Sequence, residues 1–174
     1  MSSIVFITGA SSGFGQSCAR KFASCGHRLI LNGRRKERLE ELATELKNKY
    51  QTETYLLPID VREQDLITTA IAQLPTEWTA MDILINNAGL AAGRDYFEEA
   101  NLDDWNQMID TNVKGFLYVS QAVSKWMAKQ KKGHIINIGS TAGQVVYEKG
   151  NAYCATKYAV DALNQSMRID LLRH

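Results

Sequence analysis

Ile4-Val5-Phe6-Ile7-Thr8-Gly9-Ala10-Ser11-Ser12-Gly13-Phe14-Gly15 decides how this chain is read. Its first four residues form a continuous apolar run, the pattern of a strand buried on both faces. The glycine-rich part that follows leads into a helical pattern beginning near Gln16, so the stretch reads as strand, tight turn and helix N-terminus. Exposed backbone N–H groups and the positive helix end both favour a phosphate at such a turn. Gly9 permits the sharp exit from the strand, Gly13 lets backbone approach a diphosphate, and Gly15 lets the helix pack closely on the sheet. The spacing is GxxxGxG and departs from the GxGxxG dinucleotide fingerprint; alone, it fits a plain tight turn equally well. Its place directly after the first strand of a strand–helix repeat is what favours a ligand.

The alternation continues downstream. Arg28 to Asn32 reads as a second strand, and Lys36 to Tyr50 as a helix with Leu39, Leu42 and Leu46 on one stripe. A third strand is expected over Thr52 to Ile59, then a helix from Glu63 to Leu74 stopped by Pro75. Asp82 to Ile85 is a fourth strand, followed by a loop from Leu90 to about Ala100. Asn101 caps a long helix to about Gln130, with an irregular entry. His134 to Ile138 is a fifth strand and Ala152 to Leu172 a final helix. Strands alternating with helices predict an α/β fold, a doubly wound parallel sheet of Rossmann-like order forming one domain over residues 1–174. Gly9, Gly33, Asp60, Asn86 and Ser140 each follow a strand, so their signals converge on the carboxyl edge of the sheet, where ligands bind.

Totals exclude several classes. The chain has 174 residues, 45% of them hydrophobic, enough for a substantial core. With 20 basic and 19 acidic residues the net charge is +1, which gives no electrostatic case for nucleic acid or an anionic membrane. Cys18, Cys25 and Cys154 are too scattered for a disulfide framework, and His27, His134 and His174 lack metal-ligand spacing, so no metal site is expected. The first strand begins within a few residues, leaving no room for a signal peptide, and no apolar run spans a bilayer. These readings predict a soluble, cytoplasmic domain.

Tyr153-Cys154-Ala155-Thr156-Lys157 carries the chemistry. Positions i and i+4 share a helix face, so the Tyr153 hydroxyl and the Lys157 ammonium can act in one pocket. A cation beside a phenol favours the phenolate, which suits a group that gives and takes a proton near neutral pH. Alone, the pair also fits a half-buried tyrosine beside a surface lysine.

In order along the chain, Thr8-Gly9-xxx-Gly13-x-Gly15, Asn86-Asn87-Ala88-Gly89, Ser140 and Tyr153-xxx-Lys157 make up a joint pattern. By it, the sequence resembles the classical short-chain dehydrogenase/reductases from Ile4 to its last residue. The resemblance implies that Tyr153 exchanges a proton with the substrate oxygen and that Lys157 assists it and bonds the nicotinamide ribose. It also implies that Ser140 orients the substrate carbonyl or alcohol. Asn112, in Asp110-Thr111-Asn112-Val113-Lys114-Gly115, matches the fourth catalytic position, which holds a water linking Lys157 to solvent. Singly, Ser140 could cap a turn and Asn112 could bond backbone. Ser11, Ser12 and Phe14 join the glycines around the cofactor, Asp60-Val61 resembles the adenine-contacting position, and Asn87-Ala88-Gly89 would line the adenosine ribose and support the sheet.

The cofactor follows from what succeeds the second strand. An NAD-preferring chain places an acid against the ribose hydroxyl. Here Gly33 stands at that point and Arg34-Arg35 follow, giving a 2′-phosphate room and cationic partners. Two cations at a helix start oppose its dipole unless an anion lies among them, so NADP is expected. Phe14-Gly15, Asn32-Gly33-Arg34-Arg35 and the run from His134 to Gly143 further resemble the NADP-dependent 3-hydroxy acid dehydrogenases of the serine and allo-threonine type. This resemblance implies hydride transfer between NADP and a short 3-hydroxy acid. Alternatives are a broad-range carbonyl reductase, an NADPH-binding sensor or interaction protein, and a truncated NADPH-binding chain without turnover. Family members continue past the final helix into a sixth strand, a substrate loop and a seventh strand, so the reading is of a C-terminally incomplete domain. By resemblance, the two long helices imply a homodimer or homotetramer.

Overall fold

The strands form because short apolar runs are bounded by polar turns. In the computed structural model, which describes residues 2–174, they are β1 (Ile4–Ile7), β2 (Arg28–Asn32), β3 (Thr54–Leu57), β4 (Met81–Asn86) and β5 (His134–Asn137). All pair in parallel in the order β3-β2-β1-β4-β5. The doubly wound α/β sheet expected from the sequence is therefore present, with β1 at its centre and β3 and β5 at its edges. The helices are α1 (Gly13–Ser24), α2 (Lys36–Tyr50), α3 (Gln64–Ala72), α4 (Leu102–Ile109), α5 (Phe116–Gln130) and α6 (Asn151–Leu171).

Strand residues alternate between two cores. Phe6, Ile30 and Leu84 pack with Ile67 and Ile71 of α3 and Val119 and Val123 of α5. Val5, Ile7, Leu29 and Leu31 pack with Ala19 and Ala23 of α1 and with Leu39, Leu42 and Leu46 of α2. Each leucine of that last stripe is at most 1% exposed, and full burial of such a side chain is worth about 1.5–3 kcal/mol. No helix among the described residues is long and apolar enough to cross a membrane.

Boundaries differ from the sequence reading for identifiable reasons. α1 begins at Gly13 rather than near Gln16, because Gln16 N–H already bonds Ser12 O at 3.3 Å. Phe14 and Gly15 thus belong to the first helical turn. β3 is shorter than Thr52 to Ile59: Thr52 N–H is drawn back to Leu46 O at the end of α2, and Ile59 N–H turns onto Leu57 O. α3 stops at Ala72, and Pro75 leads a 3₁₀ turn over Thr76–Trp78. Asn101 does cap α4, accepting from Asp103 N–H at 2.9 Å. The long helix is irregular in its middle rather than at its entry, since a π-helical stretch over Asp110–Gly115 separates α4 from α5. Gly115 in that stretch lies so close to β3's exit that a Cβ on it would sit 2.7 Å from Val61 Cγ2.

Candidate active-site cleft

Strand order reverses about β1, so the crevice between the carboxyl ends of β1 and β4 is the topological switch point where such sheets bind ligands. Thr8 ties the two ends together. Its hydroxyl donates to Ile85 O at 3.3 Å and accepts from the N–H groups of Asn87 and Ala88 at 3.0 and 2.9 Å. The Asn87 amide returns the contact, donating to Thr8 O at 2.9 Å and Gly9 O at 3.2 Å. Gly9 turns the chain at φ +65°, and a Cβ there would lie 2.8 Å from Asn87 Nδ2. Gly15 is packed beneath this turn, where a Cβ would collide with Gly9 O and sit 2.5 Å from Asn87 Nδ2. The loop needs its glycines for close approach as well as for φ.

Above the turn lies a cleft of about 420 Å³. The N-terminal end of α1 opens on it with no acidic residue in its first turn, leaving the helix dipole free to meet an anion. Gly13, at φ +54°, has no heavy atom within 4 Å of where a Cβ would project. Ser11, Ser12 and the 77% exposed Phe14 share this wall. Arg35 Nη2 donates to Ser11 Oγ and Ser12 Oγ at 3.2 and 3.1 Å, so a guanidinium stands directly over the turn. A Cβ on Gly33 would lie 3.2 Å from Ser11 Oγ, so the end of β2 packs closely on the glycine turn.

Asp60 and Val61 follow β3 on the same wall. Arg62 grips the Asp60 carboxylate with Nη2 at 2.7 Å and Nε at 3.0 Å, and its backbone N–H adds a bond at 3.0 Å; Arg34 Nη1 is 3.7 Å away. Burial by itself raises the Asp60 carboxyl. Those hydrogen bonds and the charges of Arg62 and Arg34 outweigh it and hold the group below the usual carboxylate range. Asn87, Ala88 and Gly89 complete this half of the cleft.

At its other end the cleft reaches Tyr153 and Lys157 of α6. Lys157 Nζ donates to Ile138 O, just past β5, at 3.0 Å, and burial lowers its pKa below that of a free lysine. Asn112, Ser140 and Gly15 do not line the cleft. The Asn112 amide is fully committed: Nδ2 donates to Leu90 O at 2.8 Å and Thr156 Oγ1 at 3.0 Å, while Oδ1 accepts from Leu90 N–H at 2.9 Å. Ser140 Oγ accepts from Ala142 N–H at 3.1 Å, capping the turn Thr141–Gly143 that packs on α6. The remaining cofactor-binding and proton-transferring residues expected from the sequence line one cleft, while Thr8 and Asn86 do not line it. Arg62, Thr111 and Leu90 were not singled out there. Arg62 could have been suspected as a cation two residues after Asp60, but the other two follow only from the π-helical stretch and its contacts.

A glycine turn, a bare helix N-terminus and two arginines at one end, with a tyrosine and a buried lysine at the other, define a dinucleotide-type cleft on a Rossmann-like sheet. The family model described as short chain dehydrogenase matches residues 3–174. The chain belongs to that family. It is 47% identical over 168 residues to the NADP-dependent 3-hydroxy acid dehydrogenase YdfG of Escherichia coli (strain K12), covering 97% of this chain and 66% of that protein. It is 44% identical over 172 residues to sulfoacetaldehyde reductase 2 of Chromohalobacter salexigens, covering 98% and 68%. The closed form of serine dehydrogenase complexed with NADP+ superposes with a TM-score of 0.90 at 46% identity, covering 97% of this chain and 66% of that one. The chain thus spans about two thirds of the length of these relatives.

Proposed function

We propose that residues 1–174 form the single NADP-binding, proton-transferring domain of an oxidoreductase that interconverts a short 3-hydroxy acid and its 3-oxo acid. One observation carries this reading: a single cleft runs from the Arg34–Arg35 pair to Tyr153 and Lys157. The cradle fits the cofactor, since Gly13 leaves open space at a helix N-terminus and Arg35 stands over Ser11 and Ser12 with no acid at position 33. Arg34 and Arg35 would bind the 2′-phosphate, the α1 end the diphosphate, and Asp60, Val61, Asn87, Ala88 and Gly89 the adenosine. When bound, the nicotinamide supplies a hydride acceptor or donor.

The protein's own residues move the proton. In the oxidative direction Tyr153 Oη accepts the substrate hydroxyl proton as the hydride leaves the same carbon; in the reverse direction it protonates the carbonyl oxygen. Lys157 stabilises the phenolate from one helical turn away, and its anchorage on Ile138 O fixes where its charge sits. Asn112 holds α6 against the loop after β4, and Ser140 would bond the substrate oxygen by its hydroxyl hydrogen. Names of the relatives support the acid substrate and NADP. A second reading, a broad-range carbonyl reductase, is favoured by the apolar segment leading into α6, where Val145, Val146 and Tyr147 are 68%, 69% and 49% exposed. Exposed Leu117 on α5 and Ile169 on α6 support self-association as a dimer or tetramer, which solution mass would establish. A soluble cytoplasmic location suits such a reaction. The test is NADPH consumption with a panel of 3-oxo acids and neutral ketones, with NADH as control. Preference for NADPH and the acids supports the first reading, equal use of bulky neutral ketones supports the second, and no turnover with any of them contradicts both.

A further inference from the structure

Thr111 lies in the π-helical stretch, is 8% exposed and lines the cleft, yet its hydroxyl oxygen is buried without a hydrogen-bond partner. A helical threonine ordinarily donates back to a carbonyl one turn earlier. Thr44 bonds Glu40 O at 2.8 Å and Thr68 bonds Gln64 O at 2.7 Å in this way. Thr111 makes no such bond in the wider π spacing. A buried hydroxyl left unpaired is destabilising, and in a native fold it asks for an explanation.

Its position supplies one. The stretch is pressed on Val61 through Gly115, and Asn112 Oδ1 lies 3.3 Å from where a Cβ of Gly89 would be. Thr111 lies one turn before Gly115 and next to Asn112, so its part of the cleft wall adjoins the Val61 and Gly89 segments. Asn32 Oδ1 is a second unpaired buried atom on this cleft, but Asn32 is fixed by Nδ2 bonds to Leu57 O and Ile59 O at 3.0 and 2.8 Å. Thr111 has no such tether. Its hydroxyl is held by no hydrogen bond and is free to turn about χ1 among the staggered rotamers.

We propose that Thr111 is a binding residue for the adenosine half of the cofactor, its hydroxyl taking a hydrogen bond to a ribose or adenine polar atom that no protein group satisfies. The proposal rests on the NADP reading above. It accounts for a polar side chain at a position where a buried valine would pack without an orphaned oxygen.

Thr111→Val keeps the shape and removes the hydroxyl, while Thr111→Ser keeps the hydroxyl. The probes are NADPH and adenosine 2′,5′-bisphosphate, which carries the adenosine half alone; binding is read by calorimetry and ligand-free stability by melting. The expected result is an equal loss of affinity for both probes in Thr111→Val, about three- to tenfold, with the ligand-free melting temperature unchanged or raised. Thr111→Ser should stay within about twofold of the original affinity. Unchanged affinity for the bisphosphate in Thr111→Val overturns the proposal, as does a loss that only follows a lowered melting temperature. If the unsubstituted protein binds neither probe, the NADP reading falls and this proposal with it, a result that needs no variant to recognise.

Discussion

Asn112 Nδ2 and Thr156 Oγ1 are joined by a buried hydrogen bond of 3.0 Å that ties the π-helical stretch to α6 at the residue before Lys157. Thr156 in turn donates to Tyr153 O at 2.8 Å, so one chain of contacts runs from Leu90 through Asn112 to the backbone of the candidate proton-transferring tyrosine. Asn112 thus fixes α6 to the loop after β4. Asn112→Ala strands the Leu90 backbone groups in a protein interior, and urea unfolding should show a loss of about 2–4 kcal/mol. A change within about 0.5 kcal/mol would mean that the bonds hold nothing.

Arg35 stands over the serines of the glycine turn with no carboxylate within salt-bridge distance among the described residues. Arg35→Ala should weaken NADPH binding about 10- to 100-fold, the worth of charge-assisted bonds to a phosphate, while NADH binding hardly changes. Equal losses for both cofactors would place Arg35 on the shared diphosphate instead.

These two residues mark what the sequence could and could not disclose. Arg35 was legible because two cations at a helix start, after a strand ending in glycine, have a local electrostatic meaning. The sheet, the glycine turn and the Tyr153–Lys157 pair were legible for the same reason: periodicity and i, i+4 spacing are local. The π-helical stretch was not. Its residues read as a continuous helix, and the close approach of Gly115 to Val61, far away in sequence, has no local signal. Burial of the Asn112 amide and the Arg62 grip on Asp60 likewise arise only when separate strands bring their ends together.

Asp60 provides a pH signature. Burial raises its carboxyl, but the hydrogen bonds and charge of Arg62 and the charge of Arg34 outweigh that and hold it below the usual carboxylate range in the fold. A depressed carboxylate stabilises the fold above its unfolded pKa, and that contribution drains away as pH falls through the folded value. Unsubstituted protein and Asp60→Asn should therefore differ in stability at neutral pH and draw together as the pH falls through the range in which the folded carboxyl takes up its proton. A gap that stays constant over that range would assign the difference to packing.

Gly15 sits where any Cβ meets the Gly9 carbonyl, which is backbone and cannot swing aside. Gly15→Ala should cost about 1–3 kcal/mol of stability from overpacking, read by denaturant unfolding. It should also weaken NADPH binding, because the only relief is to lift α1 from the turn. Unaltered affinity would show that the turn does not shape the diphosphate site.

The central claim is that Tyr153 transfers the proton in a cleft that binds NADP independently of it. Tyr153→Phe, followed by NADPH titration and by turnover with the best 3-oxo acid, tests both parts. The account predicts NADPH affinity within about twofold of the original and turnover lower by about 10²- to 10⁴-fold, the contribution of a positioned general acid–base. Turnover that survives the substitution would contradict it.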